Sequence, residues 1–114
     1  MSYNLFIDDI RNPDWPECIA SGIDPKDVWV IVRSSKEAKI IVSERGMPLK
    51  IAFDHDLGID YNNRIDTTMI FLKWFEAQWD GISSIPEYTI HSSNPSGCEN
   101  IRSFMESWKK SINL

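Results

Sequence analysis

Three short apolar runs in this sequence end in side chains that can hold cations or move protons. Asn4-Leu5-Phe6-Ile7 runs into Asp8-Asp9, Lys50-Ile51-Ala52-Phe53 into Asp54-His55-Asp56, and Glu87-Tyr88-Thr89-Ile90 into His91-Ser92-Ser93-Asn94. Both histidines of the chain fall in these blocks. Carboxylates that close an apolar run would be costly inside a core, so they mark where the chain leaves it. Asp8, Asp9 and Asp54 suit a hard divalent cation, Mg²⁺ or Mn²⁺, which accepts one or two carboxylates and keeps waters and substrate oxygens. His55 and His91 suit acid/base work. An ordinary imidazole titrates near ~6.5, and one ring can take a proton from water or a ribose hydroxyl while the other protonates the leaving oxygen. A softer metal held by the histidines is less supported, because no metal-ligand spacing falls within one element.

A phosphate site is expected beside these groups. In Asn94-Pro95-Ser96-Gly97 the preferred N-cap and first-turn residues open a helix whose free amides and positive dipole end attract anions. Gly97 would allow close approach, and Ser92 and Ser93 supply hydroxyls. Arg11 and Arg64 are the cationic candidates from flanking loops. Ordinary capping explains Asn94 and Pro95 equally well, and a solvated surface explains the arginines.

The elements that must position these residues follow from periodicity. Asn4 to Asp8 is too short and apolar for a helix and reads as a buried strand. Pro13, Pro16, Gly22 and Pro25 break the stretch from Asp9 to Asp27, leaving at most a short helix from Trp15 to Ala20. Val28 to Arg33 is β-branched and aromatic, a strand signature. Ser34-Ser35-Lys36-Glu37 has the capping-box pattern and Gly46 the stop for a helix over 35–45. A strand over 50–54 and a polar loop over 55–64 come next. Ile65, Met69, Leu72, Phe75 and Trp79 then recur at helical spacing until Asp80-Gly81. A fourth strand spans 87–91, and Ile101, Phe104, Met105, Trp108 and Ile112 stripe a last helix. Strands alternating with helices predict a parallel sheet covered on both faces, with its ligand crevice at the carboxyl ends of the strands.

Composition narrows the partners. The chain has 114 residues, enough for one core, so a single domain over 1–114 is expected. Twelve Lys and Arg against seventeen Asp and Glu give a net charge of −5, which disfavours grip along a long nucleic acid duplex but not a local phosphate pocket. Cys18 and Cys98 lie in no metal or redox spacing and read as buried free thiols. No run approaches the ~20 apolar residues of a membrane span, and the amino end lacks a basic leader region. A cytoplasmic protein is the expectation.

Taken together, the blocks Leu5 to Pro13, Phe53 to Gly58 and His91 to Asn100, in that order, resemble the cyclic-phosphate-processing receiver family, a divergent relative of response-regulator receiver domains. The resemblance spans nearly the whole chain. It implies an α/β, three-layer receiver-like (flavodoxin-like) fold with a short, mainly parallel four-stranded sheet and helices on both faces. It also implies processing of cyclic phosphate ends. Asp8 and Asp9 then match the receiver acidic pair, Asp54 the phosphoacceptor position, and His91-Ser92 lies near the strand end where receivers place Ser or Thr. The chain departs from receivers in lacking a fifth strand with the usual lysine, since Lys109 and Lys110 fall in a helix. That argues against phosphorylation-driven switching. The expected activity is hydrolysis of a cyclic phosphodiester, at a 2′,3′-cyclic RNA end or on a small cyclic nucleotide. His55, His91 and Asp54 would be catalytic, Asp8, Asp9 and Asp54 would hold the metal, and Ser92, Ser93, Asn94, Gly97 and Arg11 would bind substrate. The competing expectation is a catalytically silent module that captures a nucleotide or a protein partner, favoured by exposed aromatics at Trp15 or Tyr61.

Overall fold

A computed structural model describes residues 2–79 and 82–112 of the chain. Apolar runs that fill both faces of a pleat become its buried strands. β1 (Asn4–Ile7), β2 (Trp29–Val32), β3 (Lys50–Phe53) and β6 (Glu87–Ile90) form one parallel sheet in the order β2-β1-β3-β6, while β4 (Asp56–Ile59) and β5 (Ile65–Thr67) form a separate antiparallel hairpin. Ile7 is level with Val32 and Phe53, and Phe53 with Ile90. Arg33, Asp8, Asp54 and His91 therefore leave four adjacent strands at one height. The ladder continues into them, with the Asp8 amide donating to Val32 O (3.2 Å), that of Asp54 to Ile7 O (2.9 Å) and that of His91 to Phe53 O (2.9 Å). Strand order reverses at the β1/β3 boundary, the place where such sheets form their crevice.

The α/β three-layer class holds, with unequal outer layers. Helices α2 (Ser35–Arg45), α3 (Thr68–Gln78) and α4 (Pro95–Ile112) bury Val42, Phe71, Phe75, Ile101 and Met105 against Leu5, Ile7, Ile51 and Phe53 on one face. The other face has Phe6 and Ala52 under Cys18 of the five-residue helix α1 (Pro16–Ala20) and under Ile23. The prolines and Gly22 of the crossover explain why that layer is thin.

The local signals behave as their chemistry dictates. Ser34 Oγ accepts the Glu37 amide (3.1 Å), and Glu37 Oε1 takes the amide of Arg33 (2.7 Å) in place of that of Ser34, so the capping box closes one residue early. Gly46 at the C-cap has φ +82°, a conformation that favours glycine.

Three boundaries differ from expectation. Val28 is 84% exposed and precedes β2. The polar stretch 55–64 is largely the β4–β5 hairpin, its turn tied by Asp60 Oδ1 to the Asn62 and Arg64 amides (2.8 and 3.0 Å). Ile65 belongs to β5 and is 78% exposed, so the helical stripe starts only at Thr68. Ile59 and Ile65 face solvent, so the hairpin lacks the buried alternation that announces a strand. The expected stop at Asp80-Gly81 lies outside the described residues. Cys18 is buried, Cys98 only half-buried, and both are free. Among the described residues no helix is long and apolar enough to cross a membrane.

Candidate active site

Asp8 and Asp54 leave neighbouring strands at the point of reversal, and Asp9 follows on the loop. Ligand oxygens of the three lie within 4.8 Å of one another, with Asp8 and Asp54 buried. Gly58 of the hairpin, at φ +79°, comes so close that a Cβ there would stand 3.5 Å from Asp9 Oδ2. The hairpin thus stands against the carboxylate cluster.

Asp8 is fully bonded. Its Oδ1 accepts the Ile10 and Arg11 amides (2.9 Å each), and its Oδ2 lies 3.2 Å from Arg11 Nη1 and 3.0 Å from His91 Nε2. Burial pushes its carboxyl up, but the bonds from His91 and the two amides together outweigh that and hold it far below the usual carboxylate range. Asp54 goes the other way. Burial and then the Asp8 charge push it up to about 6, although Ser92, His91 and Arg11 pull down. Burial, reinforced by Asp8, raises Asp9 as well. Adjacent carboxyls whose environments drive their pKa values apart are the usual signature of distinct acid/base roles.

The two histidines occupy different surroundings. His91 is enclosed, its side chain without exposed surface and its ring stacked on Phe6 at 4.9 Å. In register, Ala52 of β3 stands between Phe6 and Thr89, and its small side chain lets the His91 ring reach across β3 to β1. His91 Nδ1 is buried without a partner. The ring has no exposed surface for a substrate to meet, which does not fit the expected acid/base role of His91 beside His55; its Nε2 is instead spent on Asp8. His55 is half-buried just past β3, against Gly97 of α4. Asp56 Oδ1 is 2.9 Å from its Nδ1, and Asn94 Nδ2 donates to Asp56 Oδ2 (3.2 Å). The His55 bond and then that of Asn94 hold Asp56 below its ordinary value. Among the described residues His55 Nε2 has no hydrogen-bond partner.

Several expected phosphate ligands are committed elsewhere. Gly97 does permit a close approach, but of His55: a Cβ on it would fall 2.4 Å from His55 Cγ. Its amide donates to Asn94 Oδ1 (3.0 Å), so Asn94 caps α4 and braces Asp56. Ser92 Oγ accepts the Asn94 amide (3.1 Å), and Ser93 is exposed. Arg11 is not free for anions, since it contacts Asp8, Asp54 and Glu17. Arg64 stands exposed beside the hairpin turn.

Periodicity gave no hint of three supports. Arg33 Nη1 donates to the carbonyls of Asp8 and Arg11, and its Nη2 to Asn12 Oδ1 (2.7 Å), clamping the Asp8–Asn12 loop. Thr68 opens α3 by donating its hydroxyl to Asp54 O and its amide to His55 O (2.9 Å). Buried Asp66 accepts the Ser35 amide (2.9 Å), joining the hairpin to α2. Only Arg33 carries a sequence signal, a polar residue just past an apolar run.

The donor set fits a hard cation: three carboxylates, two of them buried, with the repulsion between Asp8 and Asp54 in need of neutralisation. A family model for the cyclic-phosphate processing receiver domain matches residues 3–107. Comparison with curated proteins and with solved structures gave no match.

Proposed function

Because this chain belongs to the family of cyclic-phosphate processing receiver domains, we propose that it hydrolyses a cyclic phosphodiester, at a 2′,3′-cyclic RNA terminus or on a small cyclic nucleotide. The observation that carries the reading is the paired carboxyls at the β1/β3 reversal, one held ionised and the other raised to about 6. Asp8, Asp9 and Asp54 would hold Mg²⁺ or Mn²⁺, which when bound supplies positive charge to the phosphate oxygens.

His55 is the proton-handling ring. Asp56 orients Nδ1, as a carboxylate orients the imidazole in hydrolytic triads, which leaves Nε2 to take a proton from the attacking water or give one to the leaving ribose oxygen. Asn94 and Gly97 hold that pair in place. In the cation's absence Asp54, with its raised pKa, is a second group able to exchange a proton near neutrality. Ser93, exposed after β6, borders the phosphate. His91 fixes Asp8 and takes no part in contact with substrate.

Incubation with 2′,3′-cyclic AMP and with a short RNA ending in a cyclic phosphate, with and without Mg²⁺ or Mn²⁺, tests this. Ring-opened monophosphate should form and should be lost in His55→Ala. A second reading, a binding module without turnover, is favoured by Tyr61, 82% exposed on the hairpin. Tight binding of these ligands with no product under any of the conditions would establish that reading.

A further inference from the structure

A carboxylate offers about four lone-pair positions. On Asp8 all four are taken: two by backbone amides, one by the enclosed His91, one by Arg11. The amides are fixed by the loop and the imidazole is packed on Phe6, so only the guanidinium can leave. Its Nη1 lies 3.2 Å from Asp8 Oδ2 and 3.5 Å from Asp54 Oδ2, between two of the oxygens a cation would need. Arg33 does not share the task, because its guanidinium is bonded to the loop carbonyls of Asp8 and Arg11 and to Asn12. On the far side, Arg11 Nε is 3.5 Å from Glu17 of α1, a partly exposed carboxylate.

We propose that Arg11 is an exchangeable occupant of the cation position: a divalent ion enters only as the guanidinium swings off Asp8 and Asp54 toward Glu17, where its fork is free to take a phosphate oxygen. The metal-free site is held closed by its own arginine, and the metal-loaded site gains a phosphate donor. This rests on the metal reading of the carboxylate cluster given above. It adds that Arg11 opposes the metal and afterwards serves the substrate.

Mn²⁺ binding to the full chain, followed by electron paramagnetic resonance, separates the two claims. Arg11→Gln should bind Mn²⁺ about tenfold or more tightly than the wild type, the size of a lost charge-assisted contact. That gain should persist at 1 M salt, where through-space attraction is screened within about 3 Å. In the unaltered chain, saturating Mg²⁺ should shift the Arg11 Nε–Hε resonance and leave that of Arg33 in place, a readout that needs no variant to fold. Equal or weaker binding by Arg11→Gln, a gain that vanishes at high salt, or Mg²⁺ binding with the Arg11 resonance unmoved would each overturn the exchange while leaving the metal site standing. No Mn²⁺ binding by either protein would remove the metal reading and the exchange together.

Discussion

The His91 ring donates no surface to solvent and places Nε2 3.0 Å from Asp8 Oδ2. A histidine that closes β6 thereby determines how a carboxylate on β1 is held, across the whole width of β3. The intervening Ala52 makes the reach possible, since its position in register lies between Phe6 and Thr89.

Two substitutions separate the packing of His91 from its bond. His91→Ala removes a buried ring and should cost about 3 kcal/mol, in the range of large-to-small core changes. His91→Phe keeps the stack on Phe6 and loses only the bond, so its cost should be nearer 2 kcal/mol, roughly that of one lost charged hydrogen bond. Urea denaturation at pH 7 gives both values. In His91→Phe the Asp8 carboxyl should titrate higher than in the wild type, read by carbon NMR. An unmoved Asp8 would mean that the contact has no hold on it.

The sheet and the gathering of Asp8, Asp54 and His91 at its end were legible because each apolar run stops at a polar residue and period-two and period-3.6 patterns alternate. What each side chain does there was not. Nothing in the spacing of His55 and His91 says that one ring is sealed and the other half-buried, because that depends on the small side chain of Ala52 and on Gly97 far away in sequence. Arg11 read as an anion partner because its carboxylate neighbours come from three elements. The hairpin escaped notice for a different reason: its isoleucines face water, so it has no buried face to leave a pattern.

Asp54 sets the sign of one pH effect in metal-free buffer. A carboxyl raised from 3.8 to about 6 binds its proton more tightly in the folded state, so its ionisation works against folding above pH 6 and that strain is relieved as pH falls toward 4. Asp54→Asn should therefore be more stable than wild type at pH 7, by about 1–3 kcal/mol after allowing for weakened bonds to Arg11 and the His55 amide. The gap should close below pH 4. Asp8 acts oppositely: its depressed pKa contributes stability above about pH 4 that is lost on further acidification. Thermal melts from pH 3 to 8 would show whether the Asn variant is instead less stable at pH 7, which would sink the upward shift of Asp54 by burial and the Asp8 charge.

Loss of the Arg33 clamp should loosen the Asp8–Asn12 loop without touching the carboxylates themselves. Arg33→Ala leaves the carbonyls of Asp8 and Arg11 without that donor, and a fall of about 1–3 kcal/mol is expected. Hydrogen exchange at the Ile10 and Arg11 amides, which bond Asp8 Oδ1, should speed up more than exchange in α4. Uniform acceleration across the chain would instead mean that Arg33 supports the fold at large.

Gly97 decides whether His55 can keep its place. An added methyl would meet the His55 ring at 2.4 Å, closer than atoms can pack, and Gly97 is the third residue of α4 with its amide bound to the Asn94 cap. The first turn of α4 is tied to Asp56 through Asn94 Nδ2, so in Gly97→Ala the clash is relieved by a shift of the ring or of that turn, and either strains the 2.9 Å contact of His55 with Asp56. Overpacking of this kind costs about 1–3 kcal/mol, which urea denaturation will register. If His55 is the base, turnover of 2′,3′-cyclic AMP should fall by about 10²-fold or more, the usual contribution of a positioned acid/base, with KM changing little. A variant as destabilised as this with turnover intact would show that the Asp56–His55 pair is a structural contact and that protons are handled elsewhere in the crevice.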